Sequence, residues 1–373
     1  MIDLSFKLYP EILIGADTLS LSGSVCSRYG QRIMIAAGQD LNSQITSRLK
    51  DILNDSGIEA IIFDGIMEDS HAGMADNIVE LSNAAHCNAI IGIGGEKTQI
   101  IARMAAIMAP TRMTAFELLE GKKPVNKFLP LIAIPTSGFE PFMLCDYFIA
   151  ADPRDRLVKS VSSPDRLYAA VIADSTLFQF PAASLFDGFF TALESYCSSK
   201  ANFLSDALLE RALNFFARLI KNGSRGINSD IYVQAAFLAA LGNSASSPGA
   251  GTALSAALNA RCPAPRQSCS SALFPVIAQR LIYTRPEKMA RAASLLGNTG
   301  KGASAAEAAN TLVENIRRSM EALSVNPSLK NFGLSLDKAV PAAEAVRNLE
   351  FVSNSPWIVS EGELFDILKQ IIN

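Results

Sequence analysis

One helix-forming stretch carries acidic side chains toward the interior of the protein. Residues 185–206 read LFDGFFTALESYCSSKANFLSD, in which apolar residues recur at helical spacing and predict a face packed on a core. Asp187, Thr191 and Glu194 are spaced i, i+4 and i+7, so they form a second line on the same helix. A carboxylate four residues before a second ligand is a common way to hold a metal ion, but threonine is a poor ligand.

A second candidate is the strand, glycine turn and helix at residues 90–104, IIGIGGEKTQIIARM. The turn contains Gly94 and Gly95, followed by Glu96, Lys97 and Thr98. Glycines allow a close approach to the backbone, and the N–H groups that open a helix bind anions. The lysine and the threonine would support phosphate binding, whereas the glutamate would repel a phosphate. The turn therefore predicts either a phosphate site or a plain connection between a strand and a helix.

A third candidate is the loop that follows the next predicted strand, residues 134–142, IPTSGFEPF. Ligands of open α/β sheets bind at the carboxyl ends of the strands. Thr136 and Ser137 at this position would bond a ribose or a base, or would cap the loop.

Two different sequence patterns along the chain predict the strands and helices that position these residues. Strand-like runs at 32–38, 59–66, 88–95 and 129–137 alternate with helical patterns, which indicates a parallel sheet covered on both faces. A hairpin is predicted at 143–161, and long helical segments follow to the C-terminus. We therefore predict an α/β dinucleotide-binding domain over residues 1–161 and an all-α domain over residues 162–373.

The bulk composition excludes several classes of protein. The 373 residues are 49% hydrophobic with a net charge of −3, and no basic run indicates nucleic-acid binding. No apolar stretch approaches the roughly 18 residues of a membrane span, and the N-terminus resembles no secretory signal, so we expect a cytoplasmic protein. Six cysteines without a CxxC pair favour packed thiols. Only His71 and His86 are present, so a histidine-rich zinc or iron site would have to draw on these two residues.

These pieces, in this order, resemble the iron-containing alcohol dehydrogenase superfamily, which includes glycerol dehydrogenases and dehydroquinate-synthase-like folds. The resemblance covers nearly the whole chain. GIGGEKTQIIAR is similar to the family's GGGKT-type pyrophosphate loop, and IPTSG to its PTT or PTV cofactor loop. FDGFFTALESYCSSKANFLSD resembles a DALxHAxEAY…NPxSD helix pair, and NSASSPGAGTALSAALNARCPAPRQSCSSALFPVI resembles the two helices that present the last two metal ligands.

The resemblance implies a divalent ion bound by one aspartate and, in most members, three histidines. The matching positions here are Asp187, Thr191, Thr252 and Arg266. Threonine hydroxyls bind iron or zinc feebly, and a guanidinium has no lone pair to give. We therefore expect no metal, with Arg266 paired to Asp187 in its place. The cofactor loop also departs from the family pattern, because the third glycine is Glu96 and the later aspartate is Ile100.

Two functions remain open at this point. The first is a metal-independent oxidoreductase that uses NAD or NADP on a small alcohol or carbonyl substrate, neutral or anionic, with Asp187 and Arg266 as its catalytic residues. The cofactor would then bind at Gly94, Gly95, Lys97, Thr98, Thr136 and Ser137. The second is a non-catalytic descendant in which the same ion pair only neutralises a buried site. By resemblance we also expect a homodimer or larger homo-oligomer, and a cleft lined by Gly94, Thr136, Asp187 and Arg266.

Three further residues have a functional and a plain interpretation. Glu140 lies near where glycerol dehydrogenase relatives place a substrate-facing acid, although a solvated loop acid is the preferred interpretation. His71 precedes a helix and is interpreted as a capping or surface residue. Cys269, close to Arg266 in sequence, is interpreted as a packed thiol rather than a nucleophile.

Overall fold

The structure is a computed structural model that describes residues 10–67, 71–111, 113–123, 127–138, 140–179, 181–223, 226–297, 303–326, 329 and 332–372. The strands are β1 (Glu11–Gly15), β2 (Arg32–Gly38), β3 (Glu59–Ile66), β4 (Ala89–Gly94), β5 (Leu131–Pro135), β6 (Tyr147–Ala151), β7 (Val158–Ser162) and β8 (Tyr168–Asp174).

The helices of the N-terminal half are α1 (Ser22–Cys26), α2 (Ser43–Asp55), α3 (Met74–Ala84), α4 (Glu96–Met108) and α5 (Ala115–Leu119). Those of the C-terminal half are α6 (Ala182–Cys197), α7 (Phe203–Asn222), α8 (Ser229–Ala245), α9 (Ala250–Arg261), α10 (Arg266–Thr284), α11 (Pro286–Leu295), α12 (Ala305–Ala322), α13 (Leu336–Arg347) and α14 (Glu361–Ile372). Short 3₁₀ turns occupy Thr18–Leu21, Ala109–Thr111 and Glu350–Asn354.

The first unit of the chain is built on a six-stranded sheet in the order β1-β8-β5-β4-β2-β3, and the strand pairs in it are parallel. β4 and β5 are buried along their whole length, as expected for strands covered on both faces. Gly94 pairs with Pro135 in the register, so β4 and β5 end side by side. The glycine turn and the loop at Thr136 therefore meet at the same edge of the sheet, as the sequence predicted.

The boundary between the two units differs from the predicted one. The first unit comprises Met1–Arg154 and Ser160–Gln179, and the second comprises Asp155–Lys159 and Phe180–Asn373. The predicted boundary at residue 161 falls too early because β8, an alanine-rich strand that sequence periodicity does not indicate, inserts between β1 and β5. The predicted hairpin is present as the two-stranded sheet of β6 and β7.

The described part of the second unit is helical, as predicted, apart from its short piece at Asp155–Lys159. α9 and α10 are separated by a break that contains Pro263 and Pro265, which cannot continue a helix. Consequently α10 begins at Arg266 itself. Among the described residues, no helix is both long enough and apolar enough to cross a membrane.

Candidate active site

A buried ion pair joins α6 to the first residue of α10. Arg266 donates from Nη1 to Asp187 Oδ1 at 2.8 Å and from Nη2 to Oδ2 at 2.5 Å. Both side chains are at least nine-tenths buried. This parallel, forked contact is the strong geometry for a guanidinium and a carboxylate, so the pair fixes the orientation of both groups.

The position of Arg266 is electrostatically unusual. It is the first residue of α10, after Pro265 at the N-cap, and a helix N-terminus carries a partial positive charge that disfavours cations. Asp187 compensates by placing a full negative charge against the guanidinium. The arginine is therefore held at this position by its carboxylate partner, against the preference of the helix end.

A second buried carboxylate on α6, Glu194, caps the N-terminus of α9. It accepts hydrogen bonds of 2.7 Å from the backbone N–H groups of Gly251 and Thr252 and from the hydroxyl of Thr252. A Cβ on Gly249 would lie 2.5 Å from Glu194 Oε1, so the close approach requires glycine there. Burial raises the pKa of Glu194 and the charge of Asp187 raises it further, although these hydrogen bonds oppose the shift.

Between these two acids on α6 lies Thr191, whose hydroxyl oxygen is buried and has no hydrogen-bond partner among the described residues. A buried unpartnered hydroxyl is costly and requires an explanation. Thr252 is bonded to Glu194, which lies two turns after Asp187 on α6, whereas the meeting of all four predicted positions at one point stays a prediction. The expected Arg266–Asp187 contact is present.

This donor set does not fit the iron or zinc ion that the resemblance implies. Both oxygens of Asp187 are engaged by Arg266, and the Thr252 hydroxyl donates to Glu194. A cation at this point would meet a guanidinium charge and neutral hydroxyl groups in place of imidazole. Within the described parts of the chain, no three His, Cys, Asp or Glu side chains form a group that could hold a metal.

The glycine turn in the first unit has the features of an anion site. α4 begins at Glu96, and its N-cap, Gly95, has no side chain to accept a bond from the first turn. Gly94 has φ +149°, a conformation that other residues adopt only with strain. A Cβ on Gly95 would lie 2.7 Å from Ser137 Oγ, so the two loops meet at this glycine. The backbone N–H groups at the start of α4 therefore fit the pyrophosphate of a dinucleotide.

The other predicted cofactor residues are placed unequally. Thr98 is buried, and its hydroxyl lies under the turn, 2.7 Å from where a Cβ of Gly94 would be. Thr136 is also buried, with its backbone N–H bonded to Gly94 O at 3.2 Å, whereas Lys97 and Ser137 are half-buried. The cleft expected between the glycine turn, Thr136 and the Asp187–Arg266 pair stays a prediction.

One sequence interpretation was wrong. Glu140 is not a solvated loop acid, because its side chain is 1% exposed and it forms an ion pair of 3.4 Å with the equally buried Arg103. Sequence analysis missed Arg103, and the signal was a charged residue inside the apolar pattern of residues 97–108.

The other two plain interpretations are confirmed. His71 is exposed, and its Nδ1 accepts a bond from the N–H of Gly73 just before α3. Cys269 is fully buried, and its contact with Cys262 together with burial raises the pKa of its thiol well above the ordinary value. All six cysteines carry free, buried thiols.

Two family models cover the chain. The model for iron-containing alcohol dehydrogenase matches residues 10–175, and that for the C-terminal part of the Fe-containing alcohol dehydrogenase family matches residues 181–372. The chain is 26% identical over 297 residues to choline dehydrogenase of Bacillus subtilis (strain 168), covering 76% of this chain and 74% of that protein. It is 21% identical over 386 residues to 1,3-propanediol dehydrogenase of Citrobacter freundii, covering 98% and 100%.

Solved structures show the same fold. The sulfoacetaldehyde reductase of Bifidobacterium kashiwanohense, solved in complex with NAD+, superposes with a TM-score of 0.84 at 16% identity and covers 100% of this chain and 99% of its own. An alcohol dehydrogenase from Oenococcus oeni has a TM-score of 0.88 at 19% identity, over 99% and 100% of the two chains. With both family models matched in order along its length, the chain belongs to the iron-containing alcohol dehydrogenase family.

Proposed function

We propose that the protein is an NAD(P)-dependent oxidoreductase of small alcohols and carbonyl compounds in which Arg266 replaces the metal ion. The observation that carries the proposal is the buried, forked pair of Arg266 and Asp187, at two positions that the sequence resemblance matches to metal ligands of the family. Relatives such as 1,3-propanediol dehydrogenase of Citrobacter freundii and lactaldehyde reductase of Escherichia coli (strain K12) support this class of substrate by their names.

In this proposal the second unit stabilises the negative charge that develops on the substrate oxygen. When bound, the nicotinamide supplies or accepts the hydride. A carbonyl oxygen gains negative charge as it is reduced, and a fixed cation at that oxygen stabilises the transition state. Arg266 provides the cation, Asp187 holds it in one orientation, and the unpartnered hydroxyl of Thr191 offers a hydrogen bond to the same oxygen.

The first unit provides the cofactor site in this proposal. The N–H groups that open α4 bind the pyrophosphate, with Gly95 leaving the space that a larger side chain would fill. Ser137 lies beside this glycine at the start of the neighbouring loop, so its hydroxyl is in place to contact the dinucleotide.

The same ion pair also supports a second candidate, a binding protein without turnover. Asp187 and Arg266 neutralise each other, so they leave no net charge with which to act on a substrate. This candidate expects neither dinucleotide binding nor activity.

The test begins with titration of the purified protein with NAD(H) and NADP(H). Changes in melting temperature and in intrinsic fluorescence report binding. Turnover is then measured on a panel of small neutral and sulfonated aldehydes and the corresponding alcohols. Gly95→Val should abolish binding by filling the turn. Arg266→Ala should lower turnover about a hundredfold or more with dinucleotide affinity nearly unchanged.

Arg291→Ala serves as the matched control, because Arg291 forms an exposed ion pair with Glu210 in the same unit. It should leave turnover within about twofold, since exposed pairs contribute little. No binding of either dinucleotide at millimolar concentration would decide for the non-catalytic candidate. Binding with turnover that does not depend on Arg266 would refute its assigned role.

A further inference from the structure

Arg103 is a charged residue in the interior of the first unit. It lies on α4, eight residues after Gly95, and is 1% exposed. A guanidinium so far from water is stable only when its donors and its charge are compensated. Its contacts therefore indicate which parts of the unit it holds together.

The compensation comes mainly from the segment that follows β5. Arg103 Nη1 donates to the carbonyl oxygen of Phe142 at 3.0 Å and to Glu140 Oε2 at 3.4 Å, and Nη2 donates to the carbonyl oxygen of Cys145 at 2.7 Å. Its Nε donates to Ser163 Oγ at 3.2 Å. Three of these four bonds end on residues 140–145, so the side chain fixes that segment to α4.

Two aromatic rings complete the environment of the guanidinium. Its carbon atom lies 4.5 Å from the ring centre of Phe148 on β6 and 5.3 Å from that of Tyr168 on β8. Such contacts favour the charged form and restrict the side chain to one position. A lysine has no planar fork to make these bonds at once.

The segment held by Arg103 continues the loop that contains Thr136 and Ser137. Glu140 Oε1 accepts a bond of 3.0 Å from the N–H of Phe142, which closes a turn in the segment. At the N-terminus of α4, two turns before Arg103, Gly95 lies against Ser137. One helix therefore contacts this loop at both places, through its N-terminal glycine and through its buried arginine.

We propose that Arg103 is a positioning residue for the dinucleotide. It holds residues 140–145, and with them the neighbouring Thr136 and Ser137, against α4. The inference rests on the proposed function, since it takes the glycine turn and this loop as the cofactor site. If Arg103 and Glu140 were purely structural, replacing either one would lower the stability of the protein but leave the affinity of the folded molecule for the dinucleotide unchanged. A positioning residue changes that affinity.

The experiment compares Arg103→Lys, Glu140→Gln and two controls. Arg32→Lys makes the same chemical change at an exposed ion pair with Glu59 on the same sheet. Leu53→Ala removes a fully buried side chain of α2 and destabilises the fold without contacting the loop. Dinucleotide Kd, kcat at saturating cofactor and amide hydrogen exchange over residues 140–145 are measured well below each melting temperature.

Arg103→Lys and Glu140→Gln should raise the Kd by about tenfold or more and speed exchange in the segment, with kcat at saturation within about twofold of the wild type. Both controls should keep the wild-type Kd, although Leu53→Ala melts at a lower temperature. If the wild type binds dinucleotide and Arg103→Lys binds it equally well, the inference is overturned and the proposed function stands. If the wild type binds none, the proposed function falls and this inference falls with it.

Discussion

Two buried arginine–carboxylate pairs, one in each unit, lie in the described part of the chain, and they are built differently. Arg103 divides its donors among a carboxylate, a hydroxyl and two carbonyl groups, and lies over two aromatic rings. Arg266 points both terminal nitrogens at a single carboxylate, that of Asp187.

The difference indicates two different roles, because Arg103 fixes a loop whereas Arg266 is a cation held in one orientation by a carboxylate. The bonds of Arg103 to backbone carbonyls make it part of the framework. Arg266 stands at a helix N-terminus, where a cation is disfavoured, and one turn along α6 from its partner lies the unpartnered hydroxyl of Thr191. Buried ion pairs are weak evidence for stability, so the position of this pair supports the chemical role that we propose for Arg266.

The largest expected effect is the formation of a metal site when the pair of Arg266 and Asp187 is removed by substitution. In the triple variant Thr191→His, Thr252→His and Arg266→His, the three imidazoles and Asp187 would form a tetrahedral donor set. We expect about one zinc ion per chain by elemental analysis after dialysis against zinc, and only background in the wild type.

Asp187→Ala in the triple variant is the control and should remove the ion. Near-stoichiometric iron or zinc in the wild-type protein, released by Asp187→Ala, would show that Arg266 has not replaced the metal. A triple variant that binds none would contradict the convergence of the four positions.

The next effect is on stability and compares the two arginines directly. Arg103→Met removes the buried cation that faces Glu140 and the donor of two carbonyl groups, so we expect the free energy of unfolding to fall by about 3 to 5 kcal/mol. Arg266→Met should cost less, because it also removes a cation from a helix N-terminus. Urea denaturation at one pH measures both values. A larger loss for Arg266→Met would reverse the roles assigned here.

A third effect distinguishes a catalytic guanidinium from a structural one. If Arg266→Ala lowers turnover about a hundredfold, added guanidinium at tens of millimolar should restore part of it, because the cation can enter the space left beside Asp187. Ammonium at equal ionic strength is the control and should restore less, since it lacks the fork. Equal recovery with both salts would indicate a general salt effect.

Much of the fold could be predicted because periodicity is a local property. The apolar runs at β2, β3, β4 and β5 and the long helices from α6 onward follow the sequence pattern closely. β1 and β8 were missed, and β8 is rich in alanine, which is not typical of strands.

The candidate site was predictable only in part. The resemblance located Asp187 and Arg266, and their opposite charges predicted the pair. The contact of Arg103 with Glu140 spans 37 residues, so no local pattern reveals it. Glu194 likewise caps a helix that begins 56 residues later, at a glycine without a capping side chain. Such contacts depend on how the elements pack, which spacing along the chain does not encode.

The smallest effect tests Glu194, the second carboxylate beside the Arg266 pair. Burial raises its pKa above the ordinary 4.5, so between that value and its higher folded value the native state binds more protons than the unfolded state. The free energy of unfolding should therefore fall as pH rises through this window. Glu194→Gln should remove the fall, and each unit of pKa shift is worth only about 1.4 kcal/mol.

Glu307 provides a control of opposite sign. The backbone N–H of Ser304 lowers the pKa of Glu307 at the start of α12, so its contribution to stability is complete above pH 4.5 and is lost as pH falls through the folded value. Glu307→Gln should thus remove an increase in the free energy of unfolding with rising pH, whereas Glu194→Gln should remove a decrease. Urea denaturation of both variants and the wild type between about pH 3 and pH 8 measures the two slopes, because the window of Glu307 lies below pH 4.5. If Glu194→Gln leaves the slope unchanged, the hydrogen bonds from Gly251 and Thr252 offset the effect of burial, and the pKa of Glu194 is not raised in the folded protein.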